Sequence, residues 1–186
     1  MTRPSQIVAA AITAMFAAGP ALAALPFQPT AQQVISSAAS AAPRAVSDNA
    51  TVVTYDQRGV LRTLRQGSNN FTCMPDDPTT PGDDPICVDA NGLEWILALA
   101  ANKTPTPGKI GIGYRLQGGS DASNLDPMAS APADGAIWIK TGPQILILNA
   151  GSALTGYPEA QATPDPTRPF VMFAGTPYAR LVIPVK

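Results

Sequence analysis

The residues best placed to do chemistry lie in one polar stretch, QGGSDASNLDP, where Ser120, Asp121, Ser123, Asn124 and Asp126 follow Gly118-Gly119. Short oxygen-bearing side chains at this spacing can surround a cation or a sugar, and glycine allows close backbone approach. Asp121 and Asp126 could also work as a carboxylate pair if the loop folds back on itself. The bland alternative is a loop in which Ser, Asp and Asn cap their own backbone amides. A second acidic stretch, CMPDDPTTPGDDPIC, offers Asp76, Asp77, Asp83 and Asp84 as weak calcium candidates. It lacks the alternating ligands and terminal Glu of an EF-hand, so a rigid solvated loop is the competing expectation.

The inventory excludes much else. The chain has no histidine, which removes Ser-His-Asp and Cys-His catalysis and imidazole-ligated zinc. Cys73 and Cys87 are the only cysteines, and in an exported chain their default state is a disulfide, which removes a thiol nucleophile. Two free thiols or half a metal site would be the competing reading, but zinc would lack ligands. No Walker A or GxGxxG string follows a strand, so nucleotide binding has no support. What remains is carboxylate acid-base work, a Ser-Lys arrangement, or an oxygen-ligand site.

Export is read from the N-terminus. Arg3, an apolar run from Ile7 to Ala18, and Ala21-Leu22-Ala23 form a signal-peptide pattern over residues 1–23, with cleavage after Ala23. Removing 23 of the 186 residues leaves 163, enough for one domain. The leader holds one of the twelve basic residues and none of the thirteen acidic ones, so the remainder has a net charge of −2. Without a basic stripe, nucleic acid is not an expected partner, and no later apolar run approaches a bilayer span. The expected location is the periplasm or outside the cell.

Elements must hold these loops in place. Residues 24–49 read as an Ala/Ser-rich segment or a loosely docked helix, with Gln32–Ala42 helical and Thr30 as its cap. Residues 50–186 form a single domain. Thr51–Tyr55 and Val60–Leu64 predict a hairpin around Asp56-Gln57-Arg58-Gly59. Asn91–Ala101 predicts the main helix, with Asn91 and Glu94 as an N-terminal capping pair. Ile110, Ile112, Tyr114 and Leu116 alternate with Gly111, Gly113, Arg115 and Gln117, a strand with one apolar face whose glycines sit under something. Ile137–Ile139 and Ile145–Leu148 read as a hairpin or tight sheet connection, the second strand buried on both faces. Phe170–Ala174 and Ala179–Ile183 are the last strands, with Pro184 marking a sheet edge or a strand end. The expectation is α+β: an antiparallel or mixed sheet of five to seven strands, one main helix, one disulfide and long Pro/Gly-rich loops.

Several strings, TCMPDDP, LQGGSDASNLDP, KTGP and the ending AGTPYARLVIPVK, resemble a family of exported bacterial proteins without an assigned function. The similarity covers about Arg65 to Lys186. It implies export and carries no activity to transfer. Three functions are therefore compatible with the sequence. The favoured one is a non-catalytic domain binding a small ligand, a cation or an envelope partner through the polar loop. The others are a His-independent carboxylate hydrolase, for example on a glycan, and a structural envelope protein.

Overall fold

The structure is a computed structural model that describes residues 29–160 and 163–185. The signal-peptide reading of residues 1–23 lies outside the described residues, as do residues 24–28.

Helix α1 (Ala31–Ser40) begins where Thr30 predicts: its hydroxyl accepts from Gln33 N, and the Gln33 side chain returns to the Thr30 amide. A short helix α2 (Arg44–Ser47) follows. Strands β1 (Thr51–Tyr55) and β2 (Leu61–Arg65) form the expected antiparallel hairpin. Its turn is fixed by Asp56, whose Oδ1 accepts from the amides of Arg58 and Val60. Next come β3 (Phe71–Met74), β4 (Ile86–Asp89), helix α3 (Ala90–Ala100), β5 (Gly111–Arg115), β6 (Gly119–Asp121) and β7 (Ile139–Thr141). The last strands are β8 (Gln144–Leu148), β9 (Phe170–Met172) and β10 (Arg180–Pro184).

The chain is α+β with a mixed sheet. Among the described residues eight strands run in the order β2-β1-β3-β4-β5-β8-β10-β9, while β6 and β7 form a separate ribbon. Among the described strand pairs only β1–β3 is parallel, besides an isolated parallel bridge between Glu159 and Val171. The expectation of five to seven strands falls short because β3 and β4 are four residues each, either side of a loop whose prolines dominate the local pattern. One main helix is likewise too few, since α1 is a ten-residue helix that packs against the sheet.

Residues in register across neighbouring strands share a face. Val52, Cys73, Cys87, Tyr114 and Ile145 form one such row. It lies beneath α1, whose Ala38 is fully buried together with Ala41, Val52 and both cysteines. Alanine suits this contact because a small side chain lets the helix axis sit close to the strands. The disulfide joins Cys73 and Cys87 directly across β3 and β4. The opposite face carries α3 and the larger core, with Trp95, Val88, Leu146, Leu148, Met172 and Val182.

β5 corrects the simple reading of its pattern. Its glycine face is the buried one, and Ile112 on the other face is 39% exposed. The cause is a backbone contact between helix and strand: a Cβ on Gly111 would lie 2.5 Å from the Gly92 nitrogen. The glycines thus let α3 lie against the sheet. The cap of α3 is also two residues earlier than predicted. Asp89, the last residue of β4, accepts from Gly92 N and from Ile112 N, tying helix start to strand. Glu94 instead pairs with Lys109 and accepts from Thr106, anchoring the connection into β5.

Of the hairpin or tight sheet connection read for Ile137–Ile139 and Ile145–Leu148, the hairpin does not form, and β8 is fully buried on one face only, Ile145 and Ile147 on the other being partly exposed. β7 pairs with β6, and β8 lies between β5 and β10. Pro184 ends β10 opposite Gln144, and β10 is interior, with β9 at the sheet edge. Among the described residues no helix is long and apolar enough to cross a membrane.

Candidate functional site

β5 and β8 are antiparallel neighbours, and residues 116–143 between them fold back over the α3 face as the β6–β7 ribbon and its loop. The fold-back begins at Gly118 (φ 98°). At Gly119 the ribbon presses on the Arg115 guanidinium, where a Cβ would lie 2.5 Å from Cζ. Any larger residue would displace the arginine.

That arginine belongs to a buried four-charge chain. Arg115 pairs with Asp84 Oδ2 at 3.4 Å and Asp121 Oδ2 at 3.3 Å, while Arg180 pairs with Asp121 Oδ1 at 3.1 Å. Two cations and two anions cancel, which lets charge survive where water is scarce. Arg180 is 7% exposed. It donates to Met172 Sδ and lies 4.8 Å over the Phe173 ring. Burial pushes the Arg180 pKa down, the Asp121 carboxylate opposes that shift, and Arg115 adds to it. Among the described residues the Nε atoms of both arginines and Gln144 Oε1 find no hydrogen-bond partner, so this network is held by charge more than by full hydrogen bonding.

Asp121 therefore sits at the centre of the network. Ser120 precedes it on β6 and is buried. The Ser123 hydroxyl accepts from the amides of Leu125 and Asp126, and Asp126 Oδ1 accepts from Met128 N, so these two residues shape the turn. Asn124 is buried, and its carbonyl accepts from Phe173 N. That contact holds Phe173 at φ 58°, a conformation that aromatic residues rarely adopt.

The acidic disulfide loop folds around its own carboxylates. Asp76 Oδ1 accepts from Asp84 N, Asp84 accepts from the Asp77 amide and the Thr80 hydroxyl, and Asp77 Oδ1 accepts from Thr79. Burial raises the Asp76 pKa, and the neighbouring Asp84 carboxylate adds to the rise. Asp83 is exposed. Among the described residues no three His, Cys, Asp or Glu side chains cluster so as to hold a metal ion.

The two loops meet. Asp77, Thr79 and Thr80 from the disulfide loop face Ser120, Asp121, Ser123 and Asp126 across one cleft of about 270 Å³. Leu99, Trp138 and Phe173 supply its apolar walls, and Arg180 is the one basic residue among its described lining. A second hollow of about 360 Å³ beside the 3-10 turn Gly151–Leu154 has one charged side chain, Glu159, among its described lining residues. The first cleft gathers far more functional groups.

Of the five polar-loop residues singled out from sequence, Ser120, Asp121, Ser123 and Asp126 line the cleft, while Asn124 packs behind it. Of the four acids, Asp77 lines it, Asp84 supports it through Arg115, and Asp76 braces Asp84. Nothing in the sequence pattern of the polar loop points to Arg115, Arg180 or Trp138 as site residues. A faint signal existed for the arginines, since each is a lone charge on a face otherwise buried: Arg115 in step with Gly111 and Gly113, Arg180 opening an apolar strand. No family model matches this chain, and no curated protein or solved structure does.

Proposed function

We propose that this is an exported, non-catalytic domain that binds a small polar ligand in the cleft between the disulfide loop and the Gly118–Asp126 loop. The observation that carries the reading is the convergence of two loops, distant in sequence, on one cleft above an ion-paired floor. Preorganisation of that kind lowers the ordering cost of binding. Both Asp121 oxygens are engaged by arginines, which weighs against a role in proton transfer and so against the hydrolase alternative. The Cys73–Cys87 disulfide and the leader pattern of residues 1–23 support a periplasmic or secreted location.

Amide shift mapping tests the reading. With the oxidised protein and millimolar panels of small amines, monosaccharides and carboxylates, at least one class should move the Thr79, Ser120, Ser123 and Asp126 amides together. Replacing Trp138 by Ala should weaken that response while the rest of the spectrum stays folded. If no class moves these amides, or if a hydrolytic turnover appears that Asp126→Asn abolishes, the reading fails.

A further inference from the structure

We infer that the cleft selects a small organic cation, a compound carrying an ammonium group on an apolar or hydroxylated body. This rests on the binding reading above and adds the sign of the ligand's charge. The lining carboxylates are Asp77, Asp121 and Asp126, against the single base Arg180. Asp121 and Arg180 neutralise each other at 3.1 Å, and Arg115 with Asp84 behind them does the same. Asp77 and Asp126 are in no ion pair among the described residues. The cleft thus presents at its exposed rim two negative charges, Asp77 and Asp126, that no described cation offsets, and their field favours a positive ligand.

The second, independent observation is Ser120. It is 6% exposed and lines the cleft, yet its hydroxyl makes no hydrogen bond with any described residue. A hydroxyl that opens on the cleft and bonds no described residue is a group that a ligand's N–H or O–H can engage in place of water. Acceptors for an ammonium stand at the rim. Asp77 and Asp126 each use Oδ1 in their own turn, accepting from Thr79 and Met128 respectively, and among the described residues Oδ2 of each has no hydrogen-bond partner. The apolar wall fits the rest of such a molecule. Phe173 is already covered by Arg180, whereas Trp138 is half-buried and takes part in no cation–π pair among the described residues. An aromatic face beside carboxylates is a recurrent way to hold an ammonium ion. A bare divalent metal fits less well. Calcium takes six to eight oxygens, and no three acidic side chains cluster here among the described residues.

Two sets of ligands matched in shape and differing in charge test this. One is glucosamine, glucose and glucuronate; the other is benzylamine, benzyl alcohol and benzoate. Each is titrated into the oxidised protein at pH 6 by calorimetry and followed by thermal melting. At least one amine should bind at least tenfold more tightly than its neutral counterpart, its anionic counterpart should not bind, and 0.5 M NaCl should weaken the amine. Asp77→Asn and Asp126→Asn keep the Oδ1 acceptor of each turn, and each should lower amine affinity about fivefold without changing the melting temperature of the free protein. Ser120→Ala should weaken the amine as well. If neutral or anionic ligands bind as tightly as the amines, the charge inference falls and the binding reading stands. If none of the six binds, both fall. Stabilisation by calcium chloride alone, lost in Asp126→Asn, would replace the organic cation with a metal.

Discussion

At the scale of single residues, the outcome turns on how each carboxylate is used. Asp121 holds Arg180 with one oxygen and Arg115 with the other, in a setting where all three side chains are 16% exposed or less. Removing it leaves two buried guanidinium groups facing a single remaining anion, Asp84. Breaking a buried pair on one side costs about 3–5 kcal/mol, so Asp121→Ala should shift the urea midpoint by that equivalent, while Asp126→Asn at the exposed turn should stay within about 0.5 kcal/mol. Equal effects in the two variants would contradict the hub assignment. Asp76 makes a different prediction. Its pKa is raised above the ordinary 3.8, first by burial and then by Asp84. A raised acid contributes stability below its unfolded pKa, and that contribution is lost as pH climbs through the folded value. Asp76→Asn keeps the acceptor for Asp84 N and does not ionise, so its melting temperature should gain on the parent between pH 3 and pH 6.5. A constant difference across that range would sink the assignment. Sequence could single out Asp121 as a chemically able residue, but not as an ion-pair hub. Its partners lie 6 and 59 positions away, and only the register of β5 and β10 brings them to one face.

At the scale of elements, the legible parts were those in which pattern and packing agree. The β1–β2 hairpin has β-branched residues on both sides of an Asp-Gln-Arg-Gly turn, and it forms as read. β8 and β10 are apolar runs too short for helices, and both lie inside the sheet. Local pattern misleads where tertiary contact overrides it. The alternation in β5 marks the isoleucine face as the inner one, yet α3 needs close backbone contact and takes the glycine face. The Asn91–Glu94 spacing imitates a capping pair, yet Asp89 at the end of β4 reaches the helix first. β6 is only three residues long and takes its partner from across the loop, a pairing no local signal announces. The Gly111–Gly92 contact makes its own prediction. A methyl at Gly111 would fall within 2.5–3.0 Å of backbone atoms at Gly92 and Asn91, which cannot swing aside as a side chain can. Overpacking of this kind costs about 1–3 kcal/mol. Gly111→Ala should therefore lower stability by that amount and speed amide exchange in the first turn of α3. The same substitution at Gly108, where a Cβ meets nothing within 4 Å but φ is 79°, should leave α3 exchange unchanged. If both variants loosen α3 equally, the glycine contact is not what seats the helix.

At the scale of the whole molecule, the sheet separates two jobs. Its α1 face is closed by small residues and the disulfide, and its α3 face carries the charged network and the cleft. The disulfide links the two. It ties β3 to β4 under α1, and the loop it closes crosses to the other side, where Asp77, Thr79 and Thr80 form one wall of the cleft and Asp84 reaches Arg115. Closing a 15-residue loop stabilises a fold by about 3 kcal/mol on the chain-entropy account. Cys73→Ala combined with Cys87→Ala should cost about that much in urea. The register Phe71↔Asp89 to Met74↔Ile86 is also held by backbone hydrogen bonds and by burial beneath α1, so the sheet should persist in the double variant. The loosening should instead concentrate in the loop the bridge closes. Amide exchange should rise at Asp77 and Thr80, then at Ser120 and Asp121 through the Asp84–Arg115–Asp121 chain, and least at Leu146 and Val182 in the central strands. A uniform rise across all of these would mean that the bridge only adds global stability. A graded rise would mean that it holds one wall of the cleft against the other, so that reduction of the protein weakens ligand binding before it unfolds the sheet.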